Sequence, residues 1–137
     1  MAIAQYLEDT RPDVRLLPKD FASKAKVLQI CEHINAGIQP LQNLSVMKKI
    51  KSDFEGNAVD WAKYWNERGL EVLEKILEDC AGEYCYGDEV TLADAVVFPQ
   101  LYAADTRFKI KLENYDKIFV AYQNLQKHPD IIAARPE

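Results

Sequence analysis

A cluster of uncharged hydrogen-bonding side chains surrounds Pro40. Gln39, Gln42, Asn43 and Ser45 carry amide or hydroxyl groups, which can each donate and accept. Because proline removes a backbone donor and clashes with the preceding helical turn, Pro40 predicts a kink that leaves backbone groups unpaired. These side chains suit a peptide-like ligand that carries amides and carboxylates. They could instead satisfy the kink or face a partner subunit, and the residues alone favour that second interpretation.

Arg107 is the second candidate for binding. A guanidinium group presents a planar fork of donors that can hold a carboxylate through two hydrogen bonds. An isolated arginine near a helix end is more often solvated or bonded to the terminal carbonyl groups. The residues alone therefore leave both roles open for Arg107.

The remaining reactive side chains do not form a complete catalytic site. His33 and His128 are the two histidines, and neither has cysteine or carboxylate partners at metal-ligand spacing beyond weak helix neighbours. Cys31, Cys80 and Cys85 are odd in number and also lack such spacing, which indicates reduced thiols in a cytoplasmic protein. A reactive role for Cys85, in a predicted turn, is the lesser alternative. We therefore expect no catalytic residue and no metal site.

The firmest structural signal is a helix start at Thr91. Thr91 and Asp94 have the spacing of a capping box, in which the Thr hydroxyl accepts from the N–H of residue 94 and the carboxylate accepts from the N–H of Thr91. An apolar run follows directly. We interpret the pair as a structural cap of a buried helix, with no part in chemistry.

Helical periodicity dominates the chain and strand signals are scarce. The predicted helices cover 2–8, a stretch from Asp20 to about 50 that is interrupted at Gly37 and Pro40, 58–80, 91–104, 115–127, and a last short helix from Pro129. Pro12 and Pro18 bracket a predicted extended linker. Apolar spacing places Leu44 on the buried stripe after the kink. In the following helix the predicted buried face includes Trp61, Tyr64/Trp65, Val72/Leu73, Ile76/Leu77 and Cys80. These patterns predict an all-α bundle.

Composition narrows the possible partners. The 137 residues suit one domain, with 48% hydrophobic and 28% charged residues. A net charge of −5 argues against nucleic acid as a main partner, because there is no basic excess to neutralise phosphates. No apolar run approaches the roughly 20 residues that span a bilayer, and no signal peptide is visible at the start. We therefore expect no membrane partner.

Three blocks of the sequence resemble one enzyme family. Residues 87–94 resemble the buried cap-and-staple motif of the glutathione transferase C-terminal domain. Residues 36–46 and 105–109 are similar to the zeta class of these enzymes, the maleylacetoacetate isomerases. The resemblance runs from Met1 to about His128, and residues 39–45 are its most class-specific part.

The resemblance implies a glutathione transferase C-terminal-type helical bundle and assigns the candidate residues. Gln39, Asn43, Leu44 and Ser45 match residues that contribute to the glutathione site, and Arg107 matches a substrate-binding arginine. The implied activity is the glutathione-dependent cis–trans isomerisation of maleylacetoacetate, a small dicarboxylate, in tyrosine and phenylalanine catabolism. Glutathione is the implied cofactor.

The resemblance also predicts how the chain is divided. Residues 1–8 match the last helix of a thioredoxin-like domain, and residues 9–137 match the C-terminal α-helical domain. The catalytic Ser-Ser-Cys type motif of the thioredoxin-like domain is not among the 137 residues. We expect this chain alone to be inactive, and to form a homodimer or dock onto a thioredoxin-like domain. The alternative is a non-catalytic protein-interaction module.

Overall fold

The computed structural model describes residues 1–11 and 13–134, which form the predicted all-α bundle. Its helices are α1 (Ala2–Thr10), α2 (Phe21–Glu32), α3 (Leu44–Asp53), α4 (Ala58–Glu78), α5 (Leu92–Thr106), α6 (Asp116–Lys127) and α7 (Pro129–Ala133). Pro12 of the predicted linker and residues 135–137 of the predicted domain lie outside the described residues. The helix positions agree with the sequence periodicity to within a few residues at each end.

The predicted interruption of the long helix is confirmed, and it takes a specific form. Asp20 caps α2, its carboxylate accepting from the backbone N–H of Ser23 at 2.9 Å. After α2 the chain widens into a π-helical turn, His33–Ile38, and then tightens into a 3₁₀ turn, Gln39–Gln42, before α3 begins. Such changes of helix type leave backbone groups outside the regular ladder, and they commonly occur at functional sites.

Glycine at position 69 lets the π-helical turn approach α4. A β-carbon at Gly69 would overlap Cγ1 and Cδ1 of Ile38, which is fully buried. The imidazole Nε2 of His33 donates to the Gly69 carbonyl oxygen at 2.8 Å, so this histidine joins the π-helical turn to α4. The two contacts fix the interrupted segment against the middle of α4.

The hydrophobic core lies between α2, α4, α5 and α6. Its fully buried large side chains are Val27, Ile30, Ile34, Ile38, Leu70, Leu73, Leu77, Val97, Leu101, Ile118 and Leu125. α2 packs mainly against α5, and α4 packs against α6 and against the interrupted segment. The site residues are therefore carried by a continuous packed scaffold.

Apolar spacing was wrong at Leu44, which is 59% exposed. On α4, Leu73 is the buried member of its predicted pair, whereas in the pair Tyr64/Trp65 the first residue is exposed and the second half-buried. The face that α4 buries is lined by Ala62, Asn66, Gly69, Leu70, Leu73 and Leu77. Small and amide side chains occupy the part of α4 that meets the interrupted segment, and hydrophobic periodicity does not detect such residues.

The capping box at the start of α5 is present and is fully buried on its acidic side. Oδ2 of Asp94 accepts from the backbone N–H of Thr91 at 2.8 Å and from its hydroxyl at 3.0 Å. Oδ1 accepts from the backbone N–H of Cys85 at 2.9 Å. One carboxylate therefore joins the start of α5 to the loop that precedes it.

The first helix is attached mainly by polar contacts. The Glu8 carboxylate accepts from the backbone N–H groups of Leu16 and Leu17 at 2.7 and 3.3 Å. α1 contains no buried residue, and Ile3 and Tyr6 are 77 and 66% exposed. An apolar helix face is thus left uncovered by the described residues. None of the described helices combines the length and the apolar character needed to cross a membrane.

We predict that Asp94→Ala lowers the free energy of unfolding by about 3 kcal/mol, because it leaves two buried backbone N–H groups without acceptors. Chemical denaturation monitored by circular dichroism measures the change. Asp20→Ala is the matched control, since it removes a solvent-exposed cap from α2 and should cost clearly less. Equal losses in the two variants would contradict the prediction.

We also predict that Gly69→Ala destabilises the fold. Overlap with Ile38 costs about 1–3 kcal/mol. Alanine regains only ~1 kcal/mol through its higher helix propensity, so the net effect is a loss of stability. Gly37→Ala is the control, because a β-carbon there approaches no atom closer than 3.5 Å. The prediction fails if thermal melts show both variants to be as stable as the unsubstituted chain.

Candidate functional site

One open cleft brings together most of the predicted site residues. It has a volume of about 320 Å³ and is lined by Gln39, Gln42, Asn43, Leu44, Pro99, Gln100 and Arg107. The 3₁₀ turn and the start of α3 form one wall, and the second half of α5 forms the other. Residues separated by more than 60 positions in sequence thus share a single surface.

The wall formed by the interrupted segment is held by an indole. Trp61 Nε1 donates to the carbonyl oxygen of Leu41 at 2.9 Å. In a regular helix this carbonyl would accept from the backbone N–H of Ser45, which donates to Asn43 Oδ1, so the Trp61 indole takes the place of that donor. The exposed Gln39 side chain has no hydrogen-bond partner among the described residues and remains available to a ligand.

Three amide side chains form a closed ring at the base of the cleft. Gln42 Nε2 donates to Gln100 Oε1 at 2.7 Å, Gln100 Nε2 donates to Asn66 Oδ1 at 2.6 Å, and Asn66 Nδ2 donates to Gln42 Oε1 at 2.8 Å. Asn66 and Gln100 are buried, whereas Gln42 is half-buried. Because buried amides are costly unless paired, each member requires the other two.

Asn43, Leu44 and Ser45 have different local roles. Asn43 caps α3, and its Oδ1 accepts from the backbone N–H and the hydroxyl of Ser45 at 2.9 and 2.8 Å. Ser45 therefore supports the cap and does not line the cleft, whereas Asn43 and the exposed Leu44 do. The exposure of Leu44 at the rim explains why it departs from the apolar stripe.

Arg107 supplies the positive charge of the cleft. It stands at the end of α5, with its guanidinium carbon 5.1 Å from the centroid of the Phe108 ring and Nη2 3.7 Å from Met47 Sδ. It is exposed and forms no ion pair with the residues that the structure describes. Stacking on Phe108 limits its motion and leaves its donors available for an anion.

Sequence reasoning missed part of this arrangement. Gln42 was recognised as a polar neighbour of Pro40 and was not assigned to the site, while Asn66, Pro99 and Gln100 were not considered. The sequence does offer a reason to suspect a special role for Gln100, because it is a polar residue within the apolar run of a buried helix. Asn66 carried no equivalent signal, since its helix also has an exposed polar face.

The thiols are unsuited to nucleophilic chemistry. Burial raises the pKa of Cys31 to about 12, and the nearby Glu32 and Asp94 charges act in the same direction. Burial and then the Asp94 charge raise the pKa of Cys85 well above its usual range, and burial also raises the pKa of Cys80. Protonated buried thiols are poor nucleophiles and poor metal ligands. Among residues 1–11 and 13–134, no cluster of histidine, cysteine and carboxylate side chains could hold a metal ion.

Comparison with known sequences gives a consistent set of similarities. Residues 44–134 match the family described as "Glutathione S-transferase, C-terminal domain". The chain is 48% identical over 118 residues to mouse maleylacetoacetate isomerase, covering 86% of this chain and 53% of that protein. It is 43% identical over 136 residues to the probable maleylacetoacetate isomerase 2 of Drosophila melanogaster, covering 99% of this chain and 58% of that protein. The chain thus spans little more than half the length of these relatives.

Comparison with solved structures agrees. Maleylacetoacetate isomerase from Anaeromyxobacter dehalogenans, solved with glutathione in its active site, superposes with a TM-score of 0.95 at 38% identity, covering 99% of this chain and 62% of that one. The same isomerase has also been solved with dicarboxyethyl glutathione and citrate in its active site. A maleylpyruvate isomerase described as a zeta-class bacterial glutathione S-transferase superposes with a TM-score of 0.90 at 26% identity, covering 99% of this chain and 68% of that one.

The raised pKa of Cys31 generates a prediction about alkaline stability. Unfolded thiols lose their protons near pH 9, whereas the folded Cys31 keeps its proton to about pH 12. Above pH 9 the unfolded chain therefore binds fewer protons, and the free energy of unfolding should fall as pH rises. Each such thiol contributes up to about 1.4 kcal/mol per pH unit. Denaturant titrations between pH 8 and 10.5 measure the slope, which should be shallower in Cys31→Ala. Identical slopes would contradict the assignment.

Proposed function

This chain belongs to the glutathione S-transferase C-terminal domain family, and from that premise we propose that it supplies the substrate-side domain of a glutathione-dependent maleylacetoacetate cis–trans isomerase. The observation that carries the proposal is the convergence of Gln39, Asn43, Leu44 and Arg107 on one cleft. Four residues that the resemblance assigned separately to glutathione and to substrate are neighbours in the folded chain.

The chemistry of the cleft suits both ligands. Glutathione has a peptide backbone and two carboxylates, and the uncharged amides of Gln39 and Asn43 can donate to and accept from such groups. Arg107 offers a fork of donors to a substrate carboxylate. Ser45 supports this site through the Asn43 cap, which makes its proposed contribution to glutathione binding indirect.

Bound glutathione would supply a thiolate that adds reversibly to the cis double bond, so that rotation about the resulting single bond and elimination yield the trans isomer. The residues of this chain would hold the reactants. Gln39 and Asn43 would orient the peptide portion of glutathione, and Arg107 would fix one carboxylate of the substrate. Holding reactants in a productive geometry is itself a large part of catalysis.

Deprotonation of the glutathione thiol requires groups beyond this cleft. The described residues that line it include no base, and Cys31, Cys80 and Cys85 are buried or half-buried thiols whose pKa values are raised. We propose that a thioredoxin-like domain supplies this function in the whole enzyme, and that residues 1–8 correspond to its last helix while residues 9–137 form the C-terminal domain. The exposed apolar face of α1 would then pack on the rest of that domain.

The biological setting is part of the same proposal. The reaction would belong to tyrosine and phenylalanine catabolism in the cytoplasm, and the working enzyme would be a homodimer. The reduced, buried thiols are compatible with a reducing compartment.

The exposed face of α1 also favours a second candidate, a non-catalytic interaction module. Ile3 and Tyr6 present apolar surface that the described residues leave uncovered, and such surface commonly marks an interface. The retained cleft, with its charged Arg107, favours the enzyme domain, since an interaction module has no need of it.

We predict that the 137-residue chain alone binds glutathione very weakly and does not isomerise maleylacetoacetate when glutathione is added. Full-length mouse maleylacetoacetate isomerase, assayed in parallel for loss of the cis isomer, is the positive control. Turnover by the isolated chain comparable to that control would contradict the division of labour. A fusion to a thioredoxin-like domain of a full-length relative should restore turnover if the proposed function is right.

A further inference from the structure

We propose that Gln42 is a carboxylate-recognising residue of the cleft, and that Asn66 and Gln100 are positioning residues that force it to present an N–H group. The inference rests on the proposed function and deepens it, because it adds a second carboxylate donor beside Arg107. Its basis is which donors and acceptors of the amide ring are paired and which are not.

The oxygen of the Gln42 amide is already saturated. Gln42 Oε1 accepts from Asn66 Nδ2 at 2.8 Å and lies 3.4 Å from the second donor, Gln100 Nε2. A carbonyl oxygen has two lone pairs, and both are therefore used inside the ring. Gln42 cannot accept a further hydrogen bond from a ligand without breaking one of these contacts.

The nitrogen of the same amide retains one unused donor. Gln42 Nε2 has two hydrogens and makes a single hydrogen bond, to Gln100 Oε1 at 2.7 Å, among the described residues. Asn66 Nδ2 and Gln100 Nε2 each have two acceptors within reach. The unmatched N–H of the ring thus belongs to Gln42, the half-buried member, which lines the cleft.

A backbone carbonyl outside the ring fixes its direction. Asn66 Nδ2 also donates to the carbonyl oxygen of Ala62 at 2.8 Å. If all three amides were reversed, Asn66 Oδ1 would face that carbonyl, and two acceptors would meet in the interior. Such an arrangement costs the interaction and leaves a buried carbonyl unpaired. The Ala62 carbonyl therefore fixes the orientation of the ring, which leaves the unmatched N–H on Gln42, a residue that lines the cleft.

This polarity gives a defined ligand preference. Arg107 is a donor-only group, and the ring makes Gln42 a donor-only group on the same surface. Gln39, with no partner among the described residues, can turn either its nitrogen or its oxygen towards a ligand. The Gln42–Arg107 side of the cleft should therefore prefer a carboxylate over a carboxamide of the same shape.

The test compares two small probes on the 137-residue chain. Maleate carries two carboxylates, and maleamide, its diamide, has the same carbon skeleton without charge. Both are titrated into ¹⁵N-labelled chain at constant ionic strength, and binding is followed by amide chemical shifts, including those of the three ring side chains. We expect maleate to bind at least tenfold more tightly than maleamide.

Three variants separate the contributions. Gln42→Met keeps the length of the side chain and removes its donors, and should weaken maleate binding about tenfold, the usual worth of a hydrogen bond to a charged group. Asn66→Asp replaces the donor to Gln42 by an acceptor. The ring then no longer holds the Gln42 nitrogen in place, and a fully reversed Gln42 would set its oxygen against Gln100 Oε1, so the preference for maleate over maleamide should fall. Arg107→Gln removes the positive charge of the cleft, and tests whether maleate binds there at all.

The outcomes distinguish this inference from the proposed function. Loss of maleate binding in Arg107→Gln, with unchanged binding in Gln42→Met, would overturn the role of Gln42 and leave the dicarboxylate cleft intact. Absence of maleate binding in the unsubstituted chain would overturn the role of Gln42, whereas the proposed function is tested separately by turnover of the fusion. A merely structural role of Asn66 would weaken both probes equally in Asn66→Asp, and that result would also overturn the inference. If Asn66→Asp does not fold, the inference is decided by Gln42→Met alone, through the difference between its affinities for maleate and for maleamide.

Discussion

The close approach of Ile38 to Gly69 is the contact on which the site depends. It brings the interrupted segment between α2 and α3 against the middle of α4, which places Leu41 beneath Trp61 and Gln42 beside Asn66. α5 then completes the site from the other side through Gln100. A larger residue at position 69 would push the segment outward and open both the indole contact and the amide ring. Proline alone would interrupt the helix, but it would not determine where the interruption lies.

Four polar residues are buried among the described residues, namely Asn66, Thr91, Asp94 and Gln100, and their hydrogen bonds serve two junctions. Asp94 joins the loop at Cys85 to the start of α5, and the amide ring joins α4 and α5 to the 3₁₀ turn. The junctions differ in character. The Asp94 carboxylate accepts from neighbouring backbone N–H groups and does not line the cleft. The ring is built from side chains of segments that are distant in sequence, and two of its members line the cleft. The first stabilises the fold, and the second also gives the cleft its polarity.

Local sequence patterns predicted most of the fold, because caps, prolines and apolar periodicity act over a few residues. Asp20, Thr91 and Asp94 identified helix starts correctly, and Pro40 with Gly37 identified the interruption. The cleft could be anticipated only through the family resemblance, which selected Gln39, Asn43, Leu44 and Arg107. The ring was not predictable, since Gln42, Asn66 and Gln100 are separated by 24 and 34 residues and meet only after three segments have packed. Burial of Leu44 was mispredicted for the related reason that periodicity does not show which face a neighbouring segment will cover.

The cyclic arrangement of the three amides has a consequence for how this protein can change over evolutionary time. Replacing any one member by an apolar residue strands donors and acceptors on the other two, so each single substitution is unfavourable even if the fully apolar triple replacement would be tolerated. The three positions are therefore epistatic, and intermediates on the route between a polar and an apolar base of the cleft lie in a fitness valley. Descendants of this sequence should either keep all three amides or lose them together.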